Sequence, residues 1–204
     1  MRDRDVREAL HRKVLKEHHD HPDTLVLNEL GLRYGTCRVD IAVVNGFLHG
    51  FEIKSDSDTL ERLPTQIVFY GAVLDRATLV VGEKHYDKAA ALLPEWWGIK
   101  VAAVGARGAV TFANARPFGH NRDIDPVALA ELLWRPEVID ILRARGAPAR
   151  LLREPRAALH RHLADALPLN DLRVAVRQQL KARERWRGHR PLSSDGGLWR
   201  PIPR

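Results

Sequence analysis

The 204-residue sequence predicts an α/β fold, a mixed β-sheet flanked by helices, continued at its C-terminus by a basic α-helical extension. Three observations carry this. Residues 38–54 read as a β-hairpin, with the apolar, β-branched run Val39–Val44 and the run Phe47–Ile53 on either side of Asn45-Gly46, the strongest short turn signal in the chain. Thr78–Gly82 is continuously apolar after its first residue, the pattern of a strand covered by helices on both faces. From Arg116-Pro117 onward the strand signals stop and helical periodicity takes over. The resulting order β-β-α-β-α-β-β, then helices, is that of an α/β core.

The N-terminal residues 4–18 place Val6, Leu10 and Val14 on one helical stripe, so an amphipathic helix is expected to pack on the sheet. It runs into His18-His19-Asp20-His21-Pro22, whose spacing matches no closed tetrahedral zinc site and which reads as a loop ended by Pro22. Thr24–Leu32 is apolar around Asn28 and Glu29, a short strand or a turn of helix.

The hairpin carries the chemistry. Asp40 lies in a strand otherwise made of Val, Ile and Ala, where a carboxylate loses hydration and needs a cation beside it. Glu52 and Lys54 are two apart, so both leave one face of their strand. Two carboxylates on adjacent strands suit a hard cation such as Mg²⁺, which takes only one or two protein carboxylates. Parity sets a condition: with a strict two-residue Asn45-Gly46 loop, Asp40 falls opposite Phe51 and Glu52 points to the other face. Convergence therefore requires a three-residue loop or a bulge, at Gly46 or Gly50. The spacing alone is equally compatible with Asp40 as a structural charge paired with Lys54 or Arg38.

After Lys54, Asp58-Thr-Leu-Glu61 resembles a capping box with Asp58 as the N-cap of a helix reaching about Leu74, kinked or divided near Pro64. Gln66 and Tyr70 share a face of that helix. Tyr86–Leu93 is a short helix closed by Pro94; Trp96-Trp97 reads as a core plug rather than a base-stacking platform; Ile99–Val104 and Val110–Ala113 are strands joined at Arg107-Gly108. Helices are then expected over Asp125–Trp134, Glu137–Arg145, Pro155–Ala166 and Asn170 to about Arg187, and Gly188–Arg204, rich in Gly, Pro and Ser, as a flexible tail.

Charge divides the chain in the same place. Residues 1–115 sum to −1 and residues 116–204 to +8. A basic extension suits a polyanionic partner, because phosphate contacts dominate nucleic-acid affinity. On the last helix Leu172, Val176 and Leu180 form the apolar stripe, with Arg173, Arg177 and Lys181 beside it as candidate phosphate contacts; the same helix would also serve an ordinary surface or a homodimer contact. No run approaches 18 apolar residues and Met1-Arg-Asp-Arg-Asp lacks an apolar leader core, so the expected location is the cytoplasm, with no membrane role. The single cysteine, Cys37, excludes an internal disulfide framework and a four-cysteine Fe–S cluster.

Asp40, Glu52 and Lys54, with Glu29 upstream and Gln66-Ile-Val-Phe-Tyr70 downstream, together resemble the PD-(D/E)xK phosphodiesterase superfamily in its RecB-like branch. The run Glu52-Ile-Lys-Ser-Asp-Ser-Asp-Thr-Leu60 is similar to that of small bacterial nucleases of the DNA-repair type. The resemblance covers roughly residues 1–115, and the proline of the motif is replaced by Val39. It implies a restriction-endonuclease-like core over 1–115, with 116–187 as the helical extension and 188–204 as the tail. It also implies a Mg²⁺- or Mn²⁺-dependent nuclease acting on nucleic acid, DNA favoured over RNA. In that reading Asp40, Glu52, Glu29 and the backbone carbonyl of Ile53 hold the metal, Lys54 orients the attacking water, and Gln66 and Tyr70 support the arrangement. The alternative is a catalytically silent nucleic-acid-binding or partner-docking module on the same fold, against which the intact Asp/Glu/Lys set argues.

Overall fold

The computed structural model describes residues 1–183; the final helix, predicted to about Arg187, ends at Ala182 with Arg183 already extended, and residues 184–187 and the predicted tail 188–204 lie outside the described residues. A six-stranded mixed sheet in sequential order is flanked by helices on both faces. Its strands are β1 (Leu25–Leu32), β2 (Cys37–Val44), β3 (Leu48–Lys54), β4 (Arg76–Gly82), β5 (Gly98–Val104) and β6 (Val110–Arg116). The pairs β1–β2, β2–β3 and β5–β6 are antiparallel; β3–β4 and β4–β5 are parallel, joined through helices α3 (Leu63–Gly71) and α4 (Tyr86–Leu92) as parallel neighbours require.

One face is closed by α1 (Asp3–Lys13), whose Val6, Ala9 and Leu10 pack on Ile41, Val43, Phe51, Ile53 and Val80. The helix expected to run to residue 18 breaks after Lys13. The Leu10 carbonyl accepts both the Val14 and the Leu15 N–H, Leu15 turns fully inward, and α2 (Lys16–Asp20) starts in a new direction. His18, His19 and Asp20 therefore lie on a short helix, not in a loop. His19 is tied to His11, which also bonds Asn28.

The other face is covered by α3, α4 and the four C-terminal helices α5 (Pro126–Ala130), α6 (Arg135–Ala144), α7 (Arg156–Ala166) and α8 (Leu169–Ala182). Leu159, Leu163, Leu172, Val176 and Leu180 share a continuous core with Leu27, Val44, Leu79 and Val81 of the sheet. Trp97 is fully buried there, stacked on Tyr70 at 5.5 Å, as expected of a core plug. Among the described residues no helix is long and apolar enough to cross a membrane.

Two helices after the hairpin differ from expectation in their bounds, each beside a proline. The helix after the hairpin begins at Leu63, not Asp58, and Pro64 produces no kink: it occupies the first turn, where its missing N–H has no partner to lose and its fixed φ fits. Asp58 instead closes a turn, accepting from the Ser55 N–H and hydroxyl. Likewise the helix predicted over Asp125–Trp134 is cut to Pro126–Ala130. Asp125 does cap it, accepting from the N–H groups of Val127 and Ala128, but the chain then turns to bury Leu132 and Leu133, and Pro136 sits in the first turn of α6.

Candidate active site

The β2–β3 connection contains three residues, Asn45–Phe47. Val44 pairs with Leu48 and Ile41 with Phe51, so the register continues to Asp40 opposite Glu52, the condition that parity set. The Asn45 side chain builds the extra position by accepting the Phe47 N–H at 3.0 Å.

Glu29 arrives from the other side. Asn28 pairs with Ile41 and Leu30 with Val39, so Glu29 and Asp40 face each other where the β1–β2 ladder is interrupted. Glu29 has φ +60°, a left-handed conformation rare for a glutamate. The strand's alternation slips there: Leu27 and Leu30, three apart, both face the helical layer. The kink in β1 thus sets Glu29, Asp40 and Glu52 in a row across three adjacent strands, along a cleft of about 500 Å³. Backbone strain of this kind clusters at functional sites.

Glu52 is 1% exposed and fully engaged. Lys54 Nζ lies 2.6 Å and Gln66 Nε2 2.5 Å from its Oε1, while the Tyr70 hydroxyl bonds Oε2 and lies 2.9 Å from the Arg38 carbonyl. Burial first, then the nearby Asp40 charge, pushes the Glu52 pKa up to about 6 against the pull of Lys54 and Tyr70. Burial and Glu52 together raise the Tyr70 hydroxyl well above its ordinary range, so it stays protonated and donates. Asp40 Oδ2 accepts the Ile53 N–H at 2.8 Å, locking its carboxylate to β3.

Sequence reasoning missed the residue that completes the row. Arg7 of α1 bonds Asp40 Oδ1 at 3.1 Å and the Asp40 carbonyl at 2.8 Å, and pairs with Glu29 Oε1 at 3.5 Å. It also pairs with Asp3 at 3.3 Å. Only the Asp3–Arg7 spacing of four was visible in sequence; nothing tied α1 to a strand 33 residues on. Burial raises the Glu29 pKa despite Arg7. Cys37 borders the same cleft, half-buried, and burial raises its thiol away from the reactive thiolate.

The donors fit a hard divalent cation in kind, since Glu29, Asp40 and Glu52 supply carboxylate oxygens to one cleft. In number they are few. Among the described residues no group of three or more His, Cys, Asp and Glu is placed to hold an ion, although Mg²⁺ retaining several waters needs only one or two carboxylates.

The predicted phosphate contacts are not brought to this cleft. Arg173 and Arg177 pair with buried Asp75, at 3.1 and 3.5 Å, and Lys181 pairs with Asp23 at 2.6 Å. Asp75 caps the start of β3 through the Leu48 N–H, whereas Glu52 and Lys54 lie at its far end. At about 3.3 Å per residue the two ends are roughly 20 Å apart.

A protein of unknown function from Silicibacter pomeroyi has a solved structure that aligns with a TM-score of 0.40 at 20% identity, over 70% of this chain and 90% of that one. Protein cII of Enterobacteria phage P4 is 37% identical over 62 residues, which is 30% of this chain, so the match spans about a quarter of that relative's length (24%). The family described as Bacteriophage P4 protein cII matches residues 2–189, from α1 through all of α8, and the chain belongs to that family.

Proposed function

We propose that the chain is a metal-dependent phosphodiesterase that cleaves nucleic acid, DNA in preference to RNA, on a restriction-endonuclease-like core. The observation that carries this reading is the register of the hairpin: the three-residue turn sets Asp40 beside Glu52 with Lys54, Gln66 and Tyr70 converging on Glu52, as the PD-(D/E)xK resemblance requires.

Asp40 and Glu52, with Glu29 and the Ile53 carbonyl, would hold Mg²⁺ or Mn²⁺, which when bound supplies Lewis-acid polarisation of the phosphate and offsets developing charge. The chain's own groups do the rest. Lys54, held by Glu52, orients the attacking water and stabilises negative charge on the phosphate. Gln66 and Tyr70 fix the two Glu52 oxygens so that its carboxylate cannot turn away.

A second reading has its own support. Arg7 already places a cation between Asp40 and Glu29, which would suit a module of the same fold that binds nucleic acid or a partner without turnover. Incubating circular single-stranded and supercoiled DNA with Mg²⁺, Mn²⁺ or EDTA separates the two. Metal-dependent cleavage that Lys54→Ala abolishes, in a variant that still folds, is the expected result. Equal activity in Lys54→Ala would sink the assignment of the chemistry to this cleft, whereas intact circles together with intact linear DNA and RNA would move the binding module to first place.

A further inference from the structure

At the far end of the sheet lies a second cleft, of about 510 Å³, between the β2–β3 turn, the 117–125 connection and the first turns of α8. Arg122, Arg173 and Arg177 line it against one carboxylate, Asp75. That carboxylate is already in use: its Oδ2 accepts the Leu48 N–H at 2.7 Å, and it pairs with both Arg173 and Arg177. One aspartate cannot neutralise three guanidinium groups. Arg122 is exposed and has no partner among the described residues.

More positive charge stands behind the wall. Arg76 lies 3.6 Å over the Phe47 ring, and its Nε is buried without a hydrogen bond. Arg173 Nε is also buried with no hydrogen bond of acceptable geometry, although it is 3.1 Å from Asp75 Oδ1; the ion pair therefore leaves a guanidinium N–H unsatisfied. Such donors are costly to bury and call for an acceptor. Leu169 and Asn170, in the first turn of the 14-residue α8, border the same space, so the positive end of the helix opens on it.

We infer that this cleft binds a phosphate group. Guanidinium donors match phosphate oxygens in pairs, and the surplus positive charge is what a phosphoryl anion would neutralise. Arg122 and Arg173 are the direct ligands, with Arg177 holding Asp75 and the helix terminus in place. The inference is independent of cleavage at the carboxylate site.

Calorimetric titration of the whole chain with inorganic phosphate, in EDTA at low ionic strength, tests it. The expected result is one saturable site that Arg122→Ala weakens by about tenfold with an unchanged thermal midpoint, the loss of one charge-assisted contact. A short DNA strand that competes with phosphate, and loses affinity equally in Arg122→Ala, would identify backbone phosphate as the source; phosphate that DNA does not displace would identify a small free phosphate or phosphate ester. No saturable binding to the wild-type chain, or an affinity unaltered by both Arg122→Ala and Arg173→Gln, would overturn the assignment.

Discussion

Glu52 is the residue at which fold stability and the proposed metal site meet. Its pKa, raised from 4.5 to about 6 mainly by burial, means that between those values the folded chain holds a proton that the unfolded chain has released. The stabilisation from the protonated form is therefore complete below about pH 4.5 and is lost as pH rises through about 6. A shift of this size corresponds to about 2 kcal/mol. Urea unfolding in EDTA from pH 4 to 7 should show the wild-type chain losing about that much relative to Glu52→Gln; a difference that stays constant with pH would mean that Glu52 titrates as an ordinary carboxylate. Arg7 gives a second test at this scale. Because its guanidinium occupies the space between Asp40 and Glu29, Arg7→Ala should bind Mn²⁺ more tightly, by about tenfold or 1.4 kcal/mol. Unchanged Mn²⁺ affinity in calorimetry would place the ion elsewhere.

At the scale of elements, the β2–β3 hairpin depends on close packing as much as on its turn. A side chain added at Gly50 would run into Leu74 Cδ1 and come within 3.0 Å of Val39 Cγ1; Leu74 is fully buried, so it has to shift against packed neighbours. Gly50→Ala should cost about 1–3 kcal/mol in denaturant unfolding, the range for overpacking a core. No measurable loss would mean that Leu74, beyond the end of α3, packs less tightly on the hairpin. The hairpin was also the most legible element in the sequence, because β-period alternation has a parity and parity turned a functional idea into a geometric condition on Asn45–Phe47. What escaped the sequence were contacts without period. Arg7 reaches Asp40 across tertiary packing, Arg173 and Arg177 turn from the surface to Asp75, and the left-handed position is filled by Glu29 rather than by a glycine that would announce it. The helix starts at Leu63 and Arg135 were misjudged because a proline reads as a breaker until its place in the first turn is known.

At the scale of the whole molecule, the charge step at residue 116 suggests a core and an appendage, but the packing does not respect it. The 117–125 connection is stitched to the sheet: Asn121 donates to the carbonyls of Gly71 and Leu74, its N–H bonds the Asp75 carbonyl, and the Asp125 N–H bonds Ala72. Beyond it, Leu129, Leu133, Val138, Leu142, Leu159, Leu163, Leu172, Val176 and Leu180 complete the core on one face of the sheet. Further out, Arg183 clamps Glu137 with bonds of 2.7 and 2.6 Å. Burying even two or three such leucines contributes roughly 5 kcal/mol, the scale of a domain's whole stability. A truncated chain of residues 1–116 would expose that face, Val44, Leu79 and Val81 included, and should not fold on its own. Circular dichroism melting and amide-proton dispersion check this directly. A cooperative transition and a dispersed spectrum for the fragment would restore the two-part architecture that the charge distribution suggests. Their absence would mean that α8, which carries Arg173 and Arg177, is part of the fold that holds Asp40, Glu52 and Lys54, so that the two clefts keep a fixed separation across one rigid sheet.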